Sequence, residues 1–267
     1  VRPLGTWRLL LATVAGIVVL GGLWEFLVRL FDVRPFILLP PSRIIEELSD
    51  APRFYLEAAA VTSRHAGLGL LMALAIAVIL GAVLASWRFL EAMAQPLLVL
   101  ILVAPWVAYF TSLLAWLGPG DPPVYFLVTF VTVPAFTFAV VAGLRSSDPA
   151  ARELLASVNA SRAEVLWRLR LPSALPGILA AGRYVIGLAL AAAYYGEGGN
   201  LDTEGLGSIG RRAGSGSNGP LLWASVFATV ALGVAGLAIL ATIERVALRW
   251  HVSQRQGSTA TGPRWLP

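Results

Sequence analysis

GLRSSDPAARELLASVNASRAEVLWRLRLPSALP, residues 143–176, is a charged, helix-forming island between two strongly apolar segments. Asp148-Pro149 reads as a helix start: the carboxylate accepts from free first-turn amides, and proline at the first helical position loses no bond. The helix that follows runs to about Val158, with Glu153 in its early turns and Ala151, Leu154, Leu155 and Val158 on one apolar face. Asn159 is expected to end it, since asparagine best tolerates the left-handed conformation after glycine. Ser161-Arg162-Ala163-Glu164 then reads as a capping box that starts a second helix. Leu171-Pro172 is expected to halt that helix ahead of the next apolar run. Two short capped helices with a tight bend between them form a surface presented to a partner.

The surroundings of the island make the chain an all-α polytopic membrane protein. Of 267 residues, 57% are hydrophobic and 13% charged, and mean hydropathy is +0.76; a soluble globular surface needs about 25% charged residues. The apolar runs lack the period-2 alternation of barrel strands, so they read as helices. Six spans follow, at about residues 7–30, 62–87, 93–117, 124–144, 174–195 and 221–250, each sufficient for ~30 Å of hydrocarbon. The first reads as an uncleaved span rather than a signal peptide. Residues 1–252 read as a single transmembrane domain, 145–173 as a cytoplasmic loop, and 253–267 as a disordered tail.

Every Lys+Arg position is arginine, so a phosphate-binding loop of the GxxxxGK[ST] kind is excluded. Arginines 2, 8, 88, 145, 152, 162, 168, 170, 245, 249, 255 and 264 fall on one side of a six-span bundle. Those at 29, 34, 43, 53, 64, 211 and 212 fall on the other, diluted by Asp32, Glu46, Glu47, Asp50 and Glu57. The bias puts both termini and the island in the cytoplasm. The net charge of +5 needs no nucleic acid. The absence of cysteine removes thiol chemistry, and His65 and His251 are too isolated to form a metal site.

Glu153-Leu154-Leu155, Asn159, Leu169 and Leu171-Pro172 keep the spacing E-A-A-x3-G-x9-I-x-L-P. The island thus resembles the EAA motif of permease subunits in binding-protein-dependent ABC importers. Leucine stands for both alanines and for the isoleucine, and Asn159 for the glycine, whose backbone requirement it preserves. The resemblance covers residues 39–251 and is closest to the sulfonate, taurine and nitrate branch. It takes in LPPSRIIEEL from Leu39, Ser63-Arg64 with Gly67, Pro105 with Ala108, Trp116-Leu117-Gly118, Pro134, SALPGILAAGR from Ser173, and Glu197 followed by Gly205-Leu206-Gly207. Thr111 departs from the usual proline.

The resemblance implies a type I ABC importer (MetI-like) fold with a coupling-helix loop, in the bacterial inner membrane. It implies a homodimer working with two cytoplasmic ATP-binding subunits and an extracellular solute-binding protein. ATP and Mg belong to the partner subunit; this chain binds no cofactor and is not an enzyme. The ATPase-coupling residues are then Glu153, Leu154, Leu155, Val158, Asn159, Arg162, Leu169 and Pro172.

Gate or pathway candidates are Glu197, Arg183, Pro105 and Pro134. Glu197 closes the fifth span beside a Gly-, Ser- and Asn-rich loop (196–220) expected to be mobile or turn-rich; it either gates solute or pairs with Arg211 or Arg212. Arg183 is an intramembrane charge, though its place soon after Pro176 favours snorkelling to the headgroups. Pro105 and Pro134 kink spans or mark their ends. Glu25 and Arg29 form an i,i+4 pair. Ser42 is expected to cap a surface helix in the first external loop. The rival reading, a self-contained secondary transporter, calls for inverted repeats and paired intramembrane acids or His for ion coupling, and the sequence shows neither. A membrane-embedded enzyme calls for a nucleophile or metal cluster, and no HExxH or GxSxG is present.

Overall fold

A computed structural model of the chain describes residues 6–200 and 202–248. Among them the chain runs α1 (Thr6–Leu30), α2 (Pro41–Asp50), α3 (Pro52–Ser86), α4 (Arg88–Val103), α5 (Trp106–Leu117), α6 (Asp121–Arg145), α7 (Pro149–Ser157) and α8 (Arg162–Val165). A π-helical turn, Leu166–Arg170, leads into α9 (Leu171–Gly199), followed by α10 (Leu206–Ser215) and α11 (Gly219–Ala247). Five helical stretches are long and apolar enough to cross a membrane, and α4 with α5 makes a sixth only if that bent pair counts as one span. The fold is an all-α polytopic membrane protein, as its hydropathy required. The tail 253–267, His251 and the end of the sixth span lie outside the described residues.

The centre of the bundle is α6, packed between α3 and α9. Lipid tails are as apolar as leucine, so spans associate through close packing rather than through expulsion of water. The α3 sequence supplies the means: Ala58, Ala66, Gly69, Ala73, Ala77 and Gly81 form a buried small-residue stripe. A Cβ at Gly69 would stand 2.5 Å from the Val128 side chain, and one at Gly81 would stand 2.5 Å from Val140. Glycine at these positions lets α3 and α6 approach closely. Thr129 crosses the same seam, its hydroxyl donating to the Gly69 carbonyl at 3.2 Å.

Four expectations are corrected. The third span is broken: α4 and α5 meet at 94°, because Pro105 lacks an N–H and drives Ala104 out of the helical region (φ −59°, ψ 136°). Leu171-Pro172 does not halt the second island helix. The π-helical turn accommodates the missing Pro172 donor, the Leu171 amide bonding back to the Leu166 carbonyl. Residues Arg162–Gly199 consequently form one continuous helical stretch of 38 residues.

The loop 196–220 is not merely turn-rich. It contains α10, whose Leu206, Ser208, Ile209 and Ala213 are buried. Ser42 does not cap α2, which begins at Pro41 with Pro40 as its N-cap; its amide and hydroxyl instead donate to Glu25 at 3.0 and 2.7 Å. Glu25 and Arg29 do pair, at 2.5 Å.

Candidate functional site

At the near end of the bundle the island folds as its caps dictate. Asp148 accepts from the Ala150 amide at 2.9 Å and starts α7. At the other end the Asn159 amide reaches the Ala156 carbonyl and the Ala160 amide the Leu155 carbonyl, both at 3.0 Å. Those two bonds are a Schellman closure, and they require a left-handed residue between them. Asn159 takes it, at φ 53°. Ser161 and Glu164 then form the reciprocal capping box that starts α8.

The island's root is fastened by an ion pair between Arg145, at the end of α6, and Glu91, in the first turn of α4. Leu166 and Leu171 pack on the core beside α3 and α6. Beyond that root α7 buries none of its residues. Leu154, Val158 and Trp167 are 67%, 68% and 69% exposed, so an apolar face is held rigidly away from the bundle. Of the coupling candidates, Glu153, Leu154, Val158, Asn159 and Arg162 are exposed, and Leu155, Leu169 and Pro172 are half-buried.

The opposite end of α9 enters a polar cluster. Glu197, fully buried, accepts from the Thr62 hydroxyl at 2.9 Å and the Gly207 amide at 3.0 Å, and its other carboxylate oxygen lies 2.8 Å from Nδ1 of His65. His65, equally buried, contacts Asp121 through Nε2 at 3.1 Å. Arg64 pairs with that same carboxylate at 2.6 Å. Thr62 also accepts from the Leu206 amide at 2.9 Å, so the two first-turn amides of α10 that lack a helical partner, Leu206 and Gly207, are both satisfied. Four elements, α3, α6, α9 and α10, therefore meet in one network. Asn200 adds a further tie, exchanging hydrogen bonds with both backbone groups of Gly120.

Comparison with known proteins places this architecture. The model of the binding-protein-dependent transport system inner membrane component matches residues 68–249, well over half the chain. The chain belongs to that family. It is the membrane-spanning, non-catalytic permease subunit of an ABC importer.

Among the permease's relatives, the formylaminopyrimidine transport permease protein ThiX of Halalkalibacterium halodurans is 29% identical over 242 residues, 87% of this chain and 92% of that protein. The taurine transport system permease protein TauC of Escherichia coli is 26% identical over 254 residues, 90% of this chain and 89% of the relative. An inward-facing structure of the MetNI methionine ABC transporter superposes with a TM-score of 0.58 at 18% identity, over 73% of this chain and 94% of that one. That likeness carries the fold alone.

Of the permease's gate candidates, Glu197 pairs with neither Arg211 nor Arg212 among the described residues; Arg211 donates instead to the Gly198 carbonyl at 2.6 Å. Arg183 has a partner that sequence reasoning missed, Glu244 of α11, at 2.6 Å. Pro105 sits at the break between α4 and α5, while Pro134 is buried within the central α6. The structure does not bring these four together. Sequence reasoning also missed His65, Thr62 and Asp121. One signal was available: Thr62 and His65 continue the α3 stripe at three- and four-residue steps from Ala58 to Gly69, which puts them on the packed face.

Proposed function

We propose that two copies of this permease form the translocation path for a small polar or anionic solute delivered by an extracellular binding protein. Cytoplasmic subunits holding ATP and Mg dock on the loop 145–173 and drive the path between its two openings. Taurine and formylaminopyrimidine, named for two relatives, are small polar molecules and support that solute class. The arginine bias supports a cytoplasmic island and termini. The polar cluster then lies at the extracellular end, where the fully buried Glu197 is a gate candidate through the helices it ties together and not through contact with solute.

The observation that carries the coupling role is the exposed apolar face of α7, rigidly capped and joined to the 38-residue helical stretch ending at Gly199. An apolar surface held out on an ordered lever is what a docking groove needs. Because the chain has no cysteine, single-cysteine variants test it cleanly. Leu154→Cys should cross-link to a cysteine in the ATP-binding subunit's docking groove, and Arg53→Cys, on the opposite side, should not. Equal yields at both positions, or none at Leu154, would overturn the docking reading.

A further inference from the structure

We propose that His65 is a positioning residue of the transport cycle: as an imidazolium it clamps the extracellular end of α9 to α3, α6 and α10, so that this end of the bundle moves as one body. The inference rests on the permease reading above and adds to it a residue and a protonation requirement.

The argument begins with donors and acceptors. Each nitrogen of His65 faces a carboxylate oxygen, Glu197 at 2.8 Å and Asp121 at 3.1 Å. A neutral imidazole has one donor and one lone pair, so it satisfies one of these contacts and opposes the other. The cluster therefore holds one proton more than a neutral ring and two carboxylates would. Its place follows from the remaining bonds. The Thr62 hydroxyl and the Gly207 amide already point their hydrogens at Glu197 Oε2, so a proton there would be opposed by two donors. The extra proton accordingly resides on the ring.

Charge then balances. Glu197 and Asp121 are negative, His65 and Arg64 positive, and the four make a neutral chain from the exposed Arg64 to the fully buried Glu197. Tyr125 of α6, edge-on to the ring at 5.1 Å, and Tyr194 of α9, hydrogen-bonded to Ser225, are the other titratable groups facing the cluster. From α10 the nearest charge, Arg211, is engaged by the Gly198 carbonyl. No second cation among these groups can replace the imidazolium beside Glu197. Loss of its proton leaves an uncompensated buried carboxylate, the most disruptive way to break such a pair.

The geometry also gives the clamp its purpose. Glu197 is close to the end of the helical stretch Arg162–Gly199, whose other end carries the island. Its Oε2 holds the first turn of α10 through the Gly207 amide. Motion at the ATP-binding subunits reaches the extracellular loops only if this junction holds.

The test measures ATP-driven solute uptake by the reconstituted complex of wild type, H65Q and the H65Q/E197Q double variant, from pH 6 to 9 on the extracellular side. In the double variant the new side-chain carbonyl at position 197 keeps the Thr62 and Gly207 donors. Its amide nitrogen donates to the glutamine at position 65, which in turn donates to Asp121, so the pair carries no buried charge. H65Q alone must oppose its carbonyl to a carboxylate. We expect H65Q to lose about tenfold or more in maximal uptake rate, in line with a broken buried pair. The KM for the loaded binding protein should stay unchanged.

The double variant should recover most of the loss. Wild-type uptake, intact at low pH where the ring is protonated, should fall as pH rises and the proton leaves; the double variant should not show that fall. A double variant no better than H65Q, or one sharing the wild-type alkaline loss, overturns the proposal. Failure of the permease reading is a different result, namely no ATP-driven uptake by the wild-type complex at any pH.

Discussion

At Asn159 the backbone stands at φ 53° between the two bonds that close α7, and the side chain permitted there decides how α8 leaves. Asn159→Gly should leave transport intact, because glycine takes that conformation freely. Asn159→Val should separate ATP hydrolysis from uptake while inserting normally, since a β-branched residue resists positive φ by roughly 1–3 kcal/mol. Equal uptake by the two variants would refute the bend's role. This bend was legible in the sequence because every bond that makes it is local: Asp148, Asn159, Ser161 and Glu164 act within a few residues of themselves. His65 was not legible as a functional residue, because its partners lie 56 and 132 positions away, and no local pattern brings them together. A second contrast concerns α10. A Cβ at Gly207 would collide with the Tyr194 carbonyl oxygen, whereas one at Gly67 meets nothing within 4 Å. Gly207→Ala should lower the melting temperature of the purified permease by several degrees, and Gly67→Ala should leave it unchanged.

Among the elements, the π-helical turn Leu166–Arg170 and the break at Ala104-Pro105 show what hydropathy reads and what it does not. Apolar length marked out the long helices, since that property is summed over a window. Prolines are ambiguous in such a window. Pro105 breaks its span, Pro134 leaves α6 continuous, and Pro172 is absorbed into the start of α9. Which outcome holds depends on neighbouring helices and side chains, such as the Ser173 hydroxyl that donates to the Leu169 carbonyl at 2.7 Å. The glycine-rich run 205–216 misled for a related reason. Its glycines admit close neighbours, and close packing is invisible until the neighbour is known. The π-helical turn makes its own prediction. Pro172→Ala restores a donor and should let the turn relax toward ordinary helix, turning the island relative to α9. The purified complex should then hydrolyse ATP at a near-normal rate with uptake reduced severalfold; coupling equal to wild type would show the turn to be mechanically neutral.

For the molecule as a whole, burial runs from the centre outward. The most apolar window of α6 is 61% buried, against 6% for α1 and 0% for α11. Opening free energy follows such packing, so hydrogen exchange in detergent should be slowest in α6 and faster in both α1 and α11. A reversed order would mean that α6 is not the centre of the bundle. The shape of the long helical stretch has a further consequence. Thirty-eight residues at 1.5 Å each make a rod of about 57 Å. With the Glu197 end held at its junction, each degree of tilt carries the far end of the rod about 1 Å. On the docking reading proposed above, a displacement of one helical pitch at that end, about 5.4 Å, corresponds to about 5° of tilt, a rotation small enough to leave the tight α3–α6 seam intact.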